Sequence, residues 1–251
     1  MENDFKLTQG IHDWSMGVEK LKEASQMLAK IANEGRKMLL ETEAKIVCKE
    51  YGIPVTRFEL AKQEGDAVKL AERIGYPVVL KIVSPDIIHK SDIGGVKVNL
   101  KNATEVRTAY KQILANVKQR SPKAQICGIL VQEMAAECTE IIVGAIKDPQ
   151  FGPAVMFGLG GVFVEVLKDV TFRIAPITKK EAYEMICEVK AYPLLKGYRN
   201  MPEADIDAIV AILLNASRLV MEHSEIKELD LNPIIVYEHG AKTVDARIIL
   251  E

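Results

Sequence analysis

Cysteine is scarce in this chain. Four occur in 251 residues, Cys48, Cys127, Cys138 and Cys187, and none stands in a CxxC pair. That spacing excludes a zinc ribbon and a disulfide scaffold, and the four read as reduced packing residues. No run approaches the ~18 consecutive apolar residues that a membrane span needs. The N-terminus lacks a charged start followed by an apolar stretch. An excess of one charge is missing as well: 33 Lys and Arg stand against 35 Asp and Glu. Without a basic stripe there is no footprint for nucleic acid, and without an arginine-rich amphipathic segment there is none for a membrane surface. No internal repeat is evident. The expectation is a cytoplasmic protein whose partners are small molecules or other proteins.

What is present is an ordinary globular composition, 48% hydrophobic and 27% charged. It can bury a substantial core at a length between one large domain and two small ones. In residues 1–35, Val18, Leu21, Leu28 and Ile31 recur at helical spacing, which predicts an amphipathic extension whose stripe packs on its own chain or on another subunit. Residues 36–127 read as a first α+β unit. A helix runs through Tyr51 to Gly52 and Pro54, a short strand covers Val55 to Leu60, and Asp66 caps a helix that stops at Gly75 and Pro77. Asn102 and Glu105 form a capping box for a further helix. Residues 128–251 read as a second unit, opening with strands at Gly128 to Met134, Glu140 to Ile146, Pro153 to Gly158, Val162 to Leu167 and Val170 to Ile177. Thr178 with Glu181 caps a helix, a longer helix follows Pro202, and a hairpin from Ile226 to Leu250 ends the pattern.

Three segments carry chemistry. VVLKIVSPDIIHKSDIGGVKVNL is a buried strand with Lys81 near its end, a polar loop, two glycines and an alternating strand. Lys81 can place a fixed charge on phosphate oxygens, and Gly94 and Gly95 let backbone N–H groups come close. The strand-loop-helix phosphate loop is excluded, because GxxxxGK[ST] is absent and a strand follows. In LDLNPIIVYEHGAKTVDARI, alternation puts Asp230 and Asn232 on one face and Thr243, Asp245 and Arg247 on the facing one, with Asn232 opposite Asp245. Oxygen donors converging there suit Mg²⁺, although carboxylates on a strand also simply face water. In VQEMAAECTE a strand ends at Met134, so backbone groups at Glu133 and Met134 could read an adenine edge and Glu140 could accept ribose hydroxyls, or the segment is a plain strand end.

His89 lies in the polar loop. A neutral imidazole there could attack a phosphoryl group as a covalent relay, and the plain alternative is a solvated loop histidine. Arg173 could stabilise phosphate charge or pair with Asp169 or Glu165. His12, His223 and His239 sit in polar contexts and are given no chemistry.

VVLK, the HKSDIGGVKV loop, VQEM, the FGPAVMFGLGGVFVEVLKDV run and ELDLNP, in that order, resemble the ATP-grasp (beta) subunit of ADP-forming acetyl-CoA synthetases, relatives of the succinyl-CoA synthetase beta subunit. The resemblance covers about residues 36–251. It implies an α+β ATP-grasp fold, two subdomains with ATP or ADP between them. It further implies Lys81 on phosphate, Glu133 and Met134 at the adenine, Glu140 at the ribose, and Asn232 and Asp245 on Mg²⁺ with Asp230 beside them. It implies a histidine relay at His89, and Gly158 to Gly161 as a loop near the phosphates. The family converts acyl-CoA, ADP and phosphate to carboxylate, CoA and ATP through an acyl phosphate and a phosphohistidine. No module suited to CoA is evident in this chain. The resemblance therefore implies a CoA-binding alpha subunit carrying a phosphorylated histidine, usually in an α2β2 assembly.

Two competitors belong to other classes. A stand-alone carboxylate-amine ligase would need its own acceptor pocket and no histidine relay. A regulatory module would use the fold without turnover, which Lys81, the acidic hairpin and His89 argue against.

Overall fold

The computed structural model describes residues 22–161, 168–197 and 202–251. Val18, Leu21 and the strand expected at Val162 to Leu167 lie outside the described residues. Helix α1 (Lys22–Asn33) is amphipathic, and Leu28 and Ile31 are fully buried against helix α2 (Glu41–Glu50) and the core beyond it. Burying each such side chain contributes on the order of 2 kcal/mol, so the described part of this stripe packs on its own chain. The turn into α2 is fixed by charge. Arg36 donates from both terminal nitrogens to Glu43, at 2.9 and 2.8 Å, and Glu43 accepts the Leu40 N–H at 2.7 Å.

A four-stranded antiparallel sheet comes first, built from β1 (Phe58–Ala61), β2 (Val78–Val83), β3 (Val96–Leu100) and β4 (Gly128–Glu133) in the order β1-β4-β2-β3. Helices α3 (Glu64–Ile74) and α4 (Ala103–Arg120) cover one face, where Val78, Leu80, Ile82, Ile129 and Val131 form the core. Gln63 rather than Asp66 is the N-cap of α3; Asp66 lies within its first turn, where a carboxylate still suits the helix dipole. The expected box at α4 is half formed: the Glu105 N–H donates to Asn102 Oδ1 at 3.0 Å, but the Glu105 carboxylate accepts from the Lys101 N–H at 2.8 Å and the Asn102 side-chain amide at 2.7 Å rather than from the backbone N–H of the N-cap.

The second sheet holds β5 (Thr139–Asp148), β6 (Gly152–Leu159), β7 (Val170–Ile174), β8 (Ile226–Val236), β9 (Ala241–Thr243) and β10 (Ala246–Leu250), ordered β10-β8-β5-β6-β7 with β9 on β8. Helices α2, α5 (Lys179–Glu188), the short α6 (Tyr192–Leu195) and α7 (Ile206–Glu222) build its core. The box that opens α5 is closed, the Thr178 N–H donating to Glu181 Oε2 at 2.7 Å and the Glu181 N–H to Thr178 Oγ1 at 3.2 Å. Among the described residues no helix is long and apolar enough to cross a membrane.

Packing divides the chain differently from the sequence pattern at two places. Strand β4 was expected to open the second unit; it pairs with both β1 and β2 and closes the first sheet. All six of its residues are buried, as a central strand requires. Helix α2 was grouped with the first unit, yet Ala44, Val47 and Cys48 pack in the core of the second sheet. The first sheet thus turns a second face, bearing Lys81, toward α2 and the β9–β10 turn.

Candidate active site

Strand β2 is buried along its whole length, with Val78, Leu80 and Ile82 on the helix side. Alternation sends Lys81 the other way. Its Nζ donates to Glu41 Oε1 at 2.7 Å and to the Val244 carbonyl at 3.2 Å, and lies 3.4 Å from Asp245 Oδ2. Glu41, at the first turn of α2, also meets Lys45 at 3.2 Å through Oε1 and Lys90 at 2.8 Å through Oε2. Lys45 donates in addition to Thr56 Oγ1 at 3.1 Å and to Gln132 Oε1. The Glu41 and Lys45 side chains are 2% and 0% exposed, so this is a buried cluster of three ammonium groups around one carboxylate.

The electrostatics follow from that count. Burial pushes the Glu41 carboxyl up, but Lys81, Lys45 and Lys90 outweigh it and hold the group well below the usual carboxylate range. Burial pulls Lys81 down, and Glu41 with Asp245 more than restores it, leaving it raised. For Lys45 burial wins over Glu41, and its ammonium is lowered to about 8. Burial also raises the Asp230 carboxyl, against the pull of Arg247.

Above the cluster opens a cleft of about 340 Å³, lined by residues 38–41, 83–84, 87–90, Asp230, Asn232 and 245–247. His89 is exposed on its rim and makes no hydrogen bond to another described residue. Asp230 and Asn232 stand on the open face of β8. The Asn232 N–H donates to the Asp245 carbonyl at 3.3 Å, so the two residues are opposed as the hairpin register requires. Asp245 Oδ1 accepts the Ala246 N–H at 2.9 Å. Arg247 faces Asp230 at 3.5 Å and Glu228 at 4.0 Å. Thr243 does not share this face. It is fully buried, because β9 ends there and its backbone turns to the segment at 54–56, the Thr243 N–H donating to the Pro54 carbonyl at 2.9 Å.

The two lid glycines have a use other than the expected one. Their N–H groups are taken within the loop: Gly94 donates to Ser91 O at 3.0 Å and Gly95 to Lys90 O at 2.7 Å. Gly94 adopts φ +69°, and a Cβ on Gly95 would stand 2.6 Å from Ile82 Cγ2 and 2.9 Å from the Lys90 carbonyl. The glycines let the loop lie flat on β2. Together with Asn116, which donates to Gly94 O at 3.0 Å, they fix the end of the segment that presents His89 and Lys90.

Other expected residues lie outside the cleft lining. Glu133 accepts from Arg57 Nε at 2.8 Å and pairs with Lys242 at 3.0 Å, and these partners outweigh burial to keep its carboxyl low. The Met134 N–H still donates to the Pro77 carbonyl at 3.2 Å. Glu140 is exposed at the start of β5, and its carbonyl accepts the Gly160 N–H at 2.8 Å, which ties the GLGG segment to it. Arg173 is not brought to the site. It lies on β7, the last strand of the sheet among the described residues, and pairs with Glu188 of α5 rather than with Asp169; Glu165, the other expected partner, lies outside the described residues. Asp169 instead accepts the N–H groups of Lys190 and Ala191 at 2.9 and 2.8 Å.

Sequence reasoning missed Glu41, Lys45 and Lys90. The spacing of Glu41 and Lys45 suggests a surface helix pair, and nothing local reveals that both are buried beneath a lysine 40 residues farther on.

Two sheets that meet over a lysine and carboxylate cleft place the molecule among nucleotide-grasping folds, and residues 30–250 match the ATP-grasp domain family. The chain is 52% identical over 233 residues to the acetate–CoA ligase [ADP-forming] I subunit beta of Pyrococcus furiosus, covering 93% of this chain and 100% of that protein. It is similar to the dinucleotide-forming acetyl-coenzyme A synthetase 1 of Ca. Korarchaeum cryptofilum in complex with coenzyme A and Ca-AMPCP. That match has a TM-score of 0.90 and 56% identity, over 91% of this chain and 100% of that one. The same synthetase with a phosphorylated phosphohistidine segment gives a TM-score of 0.85 at 54% identity, again over 91% and 100%. The chain belongs to the family of ADP-forming acetate–CoA ligase beta subunits.

Proposed function

We propose that the cleft binds ADP or ATP with Mg²⁺ and passes a phosphoryl group between nucleotide and histidine. On this reading the chain is the nucleotide-handling subunit of an ADP-forming acyl-CoA synthetase, which turns acyl-CoA, ADP and phosphate into carboxylate, CoA and ATP. The carrying observation is that exposed His89 and the oxygen donors Asp230, Asn232 and Asp245 line one cleft above the Lys81–Glu41 cluster.

Each residue then has a task. Lys81 fixes positive charge behind the phosphates. Neutral His89 takes or gives the phosphoryl group: in the ATP-forming direction its N–P bond breaks with the electron pair returning to the imidazole, and a P–O bond forms to the terminal oxygen of ADP. The Glu133–Met134 turn and Glu140 serve the base and ribose end. The donor set fits Mg²⁺, since Asn232, Asp245 and the neighbouring Asp230 offer oxygen only. Among the described residues no three His, Cys, Asp or Glu side chains group to hold a metal alone. When bound, Mg²⁺ neutralises charge on the phosphate oxygens.

The beta designation of the Pyrococcus relative and the phosphohistidine segment of the Korarchaeum structure support a partner that brings a phosphorylated histidine to this cleft; on this reading the partner is a CoA-binding alpha subunit and the assembly α2β2. The compartment that fits is the cytoplasm, where CoA and ADP are available. The test is reconstitution. The chain mixed with a CoA-binding subunit from the same source should form acetyl-CoA from acetate, CoA and Mg-ATP with release of ADP, and neither protein alone should do so. Turnover by this chain alone with an amine acceptor would contradict the reading.

A further inference from the structure

Lys90 has so far been given no part in the chemistry. It follows His89 directly, and of the three lysines around Glu41 it is the one that lines the cleft. Lys81 lies behind Glu41 and Asp245, and Lys45 is turned toward Thr56 and Gln132. Lys90 Nζ stands 2.8 Å from Glu41 Oε2 and 3.9 Å from Asp245 Oδ2, with its side chain 19% exposed. Arg247, the other cation of the lining, already faces two carboxylates, Asp230 and Glu228. The lysine cluster has three positive charges against Glu41 and Asp245, so it carries one in excess. The excess grows once Asp245 turns to a metal ion.

We propose that Lys90 is a phosphate-binding cation of this cleft, held by Glu41 in the place that a polyphosphate chain occupies. The inference rests on the nucleotide reading above and deepens it. Glu41 acts as the built-in anion that pairs Lys90 before nucleotide binds. When phosphate oxygens arrive, Lys90 exchanges one anionic partner for another and is never left as a partly buried unpaired charge. Its position next to His89 then puts that charge on the phosphoryl group being transferred, where a charge-assisted hydrogen bond is strong.

The experiment is a calorimetric titration of the full chain with AMP, ADP and ATP in Mg²⁺, comparing wild type, Lys90→Gln and Lys90→Arg. Glu41 keeps Lys81 and Lys45 in Lys90→Gln, so the cluster stays paired. The expected result is that Lys90→Gln holds AMP as wild type does and loses about tenfold or more in affinity for ADP and ATP, while Lys90→Arg recovers most of the loss. An equal loss for all three nucleotides in Lys90→Gln, as a merely structural role would give, overturns the proposal. So does no loss at all, with the nucleotide reading left standing. A wild type that binds none of the three overturns both.

Discussion

The Nζ of Lys81 lies 2.7 Å from Oε1 of Glu41, joining a central strand of the first sheet to the first turn of a helix that packs in the second core. The contact spans the seam on which the cleft opens. It makes Glu41, rather than any residue of the motifs, the center of the site's charge.

Removing that charge should cost stability. Glu41→Gln leaves buried Lys45 without its counter-ion and Lys81 with only Asp245, 3.4 Å away, and breaking a buried pair from one side costs about 3–5 kcal/mol. Urea denaturation at neutral pH measures it. A loss below about 1 kcal/mol would mean that the lysines find other partners.

Acid should act through the same residue. The folded Glu41 carboxyl is held below its ordinary value of 4.5, so the folded state binds fewer protons there than the unfolded one. Its contribution is fully present above pH 4.5 and is lost as pH falls through the folded value. Wild type should therefore lose more stability than Glu41→Gln between pH 6 and pH 3, read from denaturation midpoints. Parallel curves would contradict this.

Lys45 has the opposite sense. Its folded ammonium is lowered from 10.5 to about 8, so the unfolded chain holds the extra proton between those values. Stability should rise across that window by a term that Lys45→Met lacks. The difference between the two proteins isolates the term from other lysines.

Asp245→Ala should remove the metal dependence of nucleotide binding. Wild type is expected to bind ADP at least about tenfold more tightly with Mg²⁺ than with chelator, roughly 1.4 kcal/mol, and the variant equally in both. Calorimetry in the two buffers decides it, and a preserved difference would move the metal to other oxygens.

Much of this architecture was legible, and the reasons are local. The box at Thr178–Glu181 and the side-chain cap of Asn102 on Glu105 formed because the partners lie three residues apart. The opposition of Asn232 and Asp245 followed from hairpin register. What stayed hidden depends on distant packing. Strand β4 joined the first sheet because its partners lie on both sides of it in space, not beside it in sequence. Gly94 and Gly95 looked like phosphate donors, yet their N–H groups close the loop itself. Arg173 found Glu188, fifteen residues on and across a helix face. Glu41 stayed hidden because Lys81 and Lys90 reach it from a strand and a loop of the first sheet.

The central claim is that His89 carries a phosphoryl group in this cleft, and labelled phosphate tests it most directly. The wild-type chain and His89→Ala are each incubated with γ-labelled ATP and Mg²⁺, with and without the CoA-binding partner. The account predicts acid-labile label on the wild-type chain and none on His89→Ala. Equal labelling of both, or tight ATP binding with no label under any pairing, would contradict it.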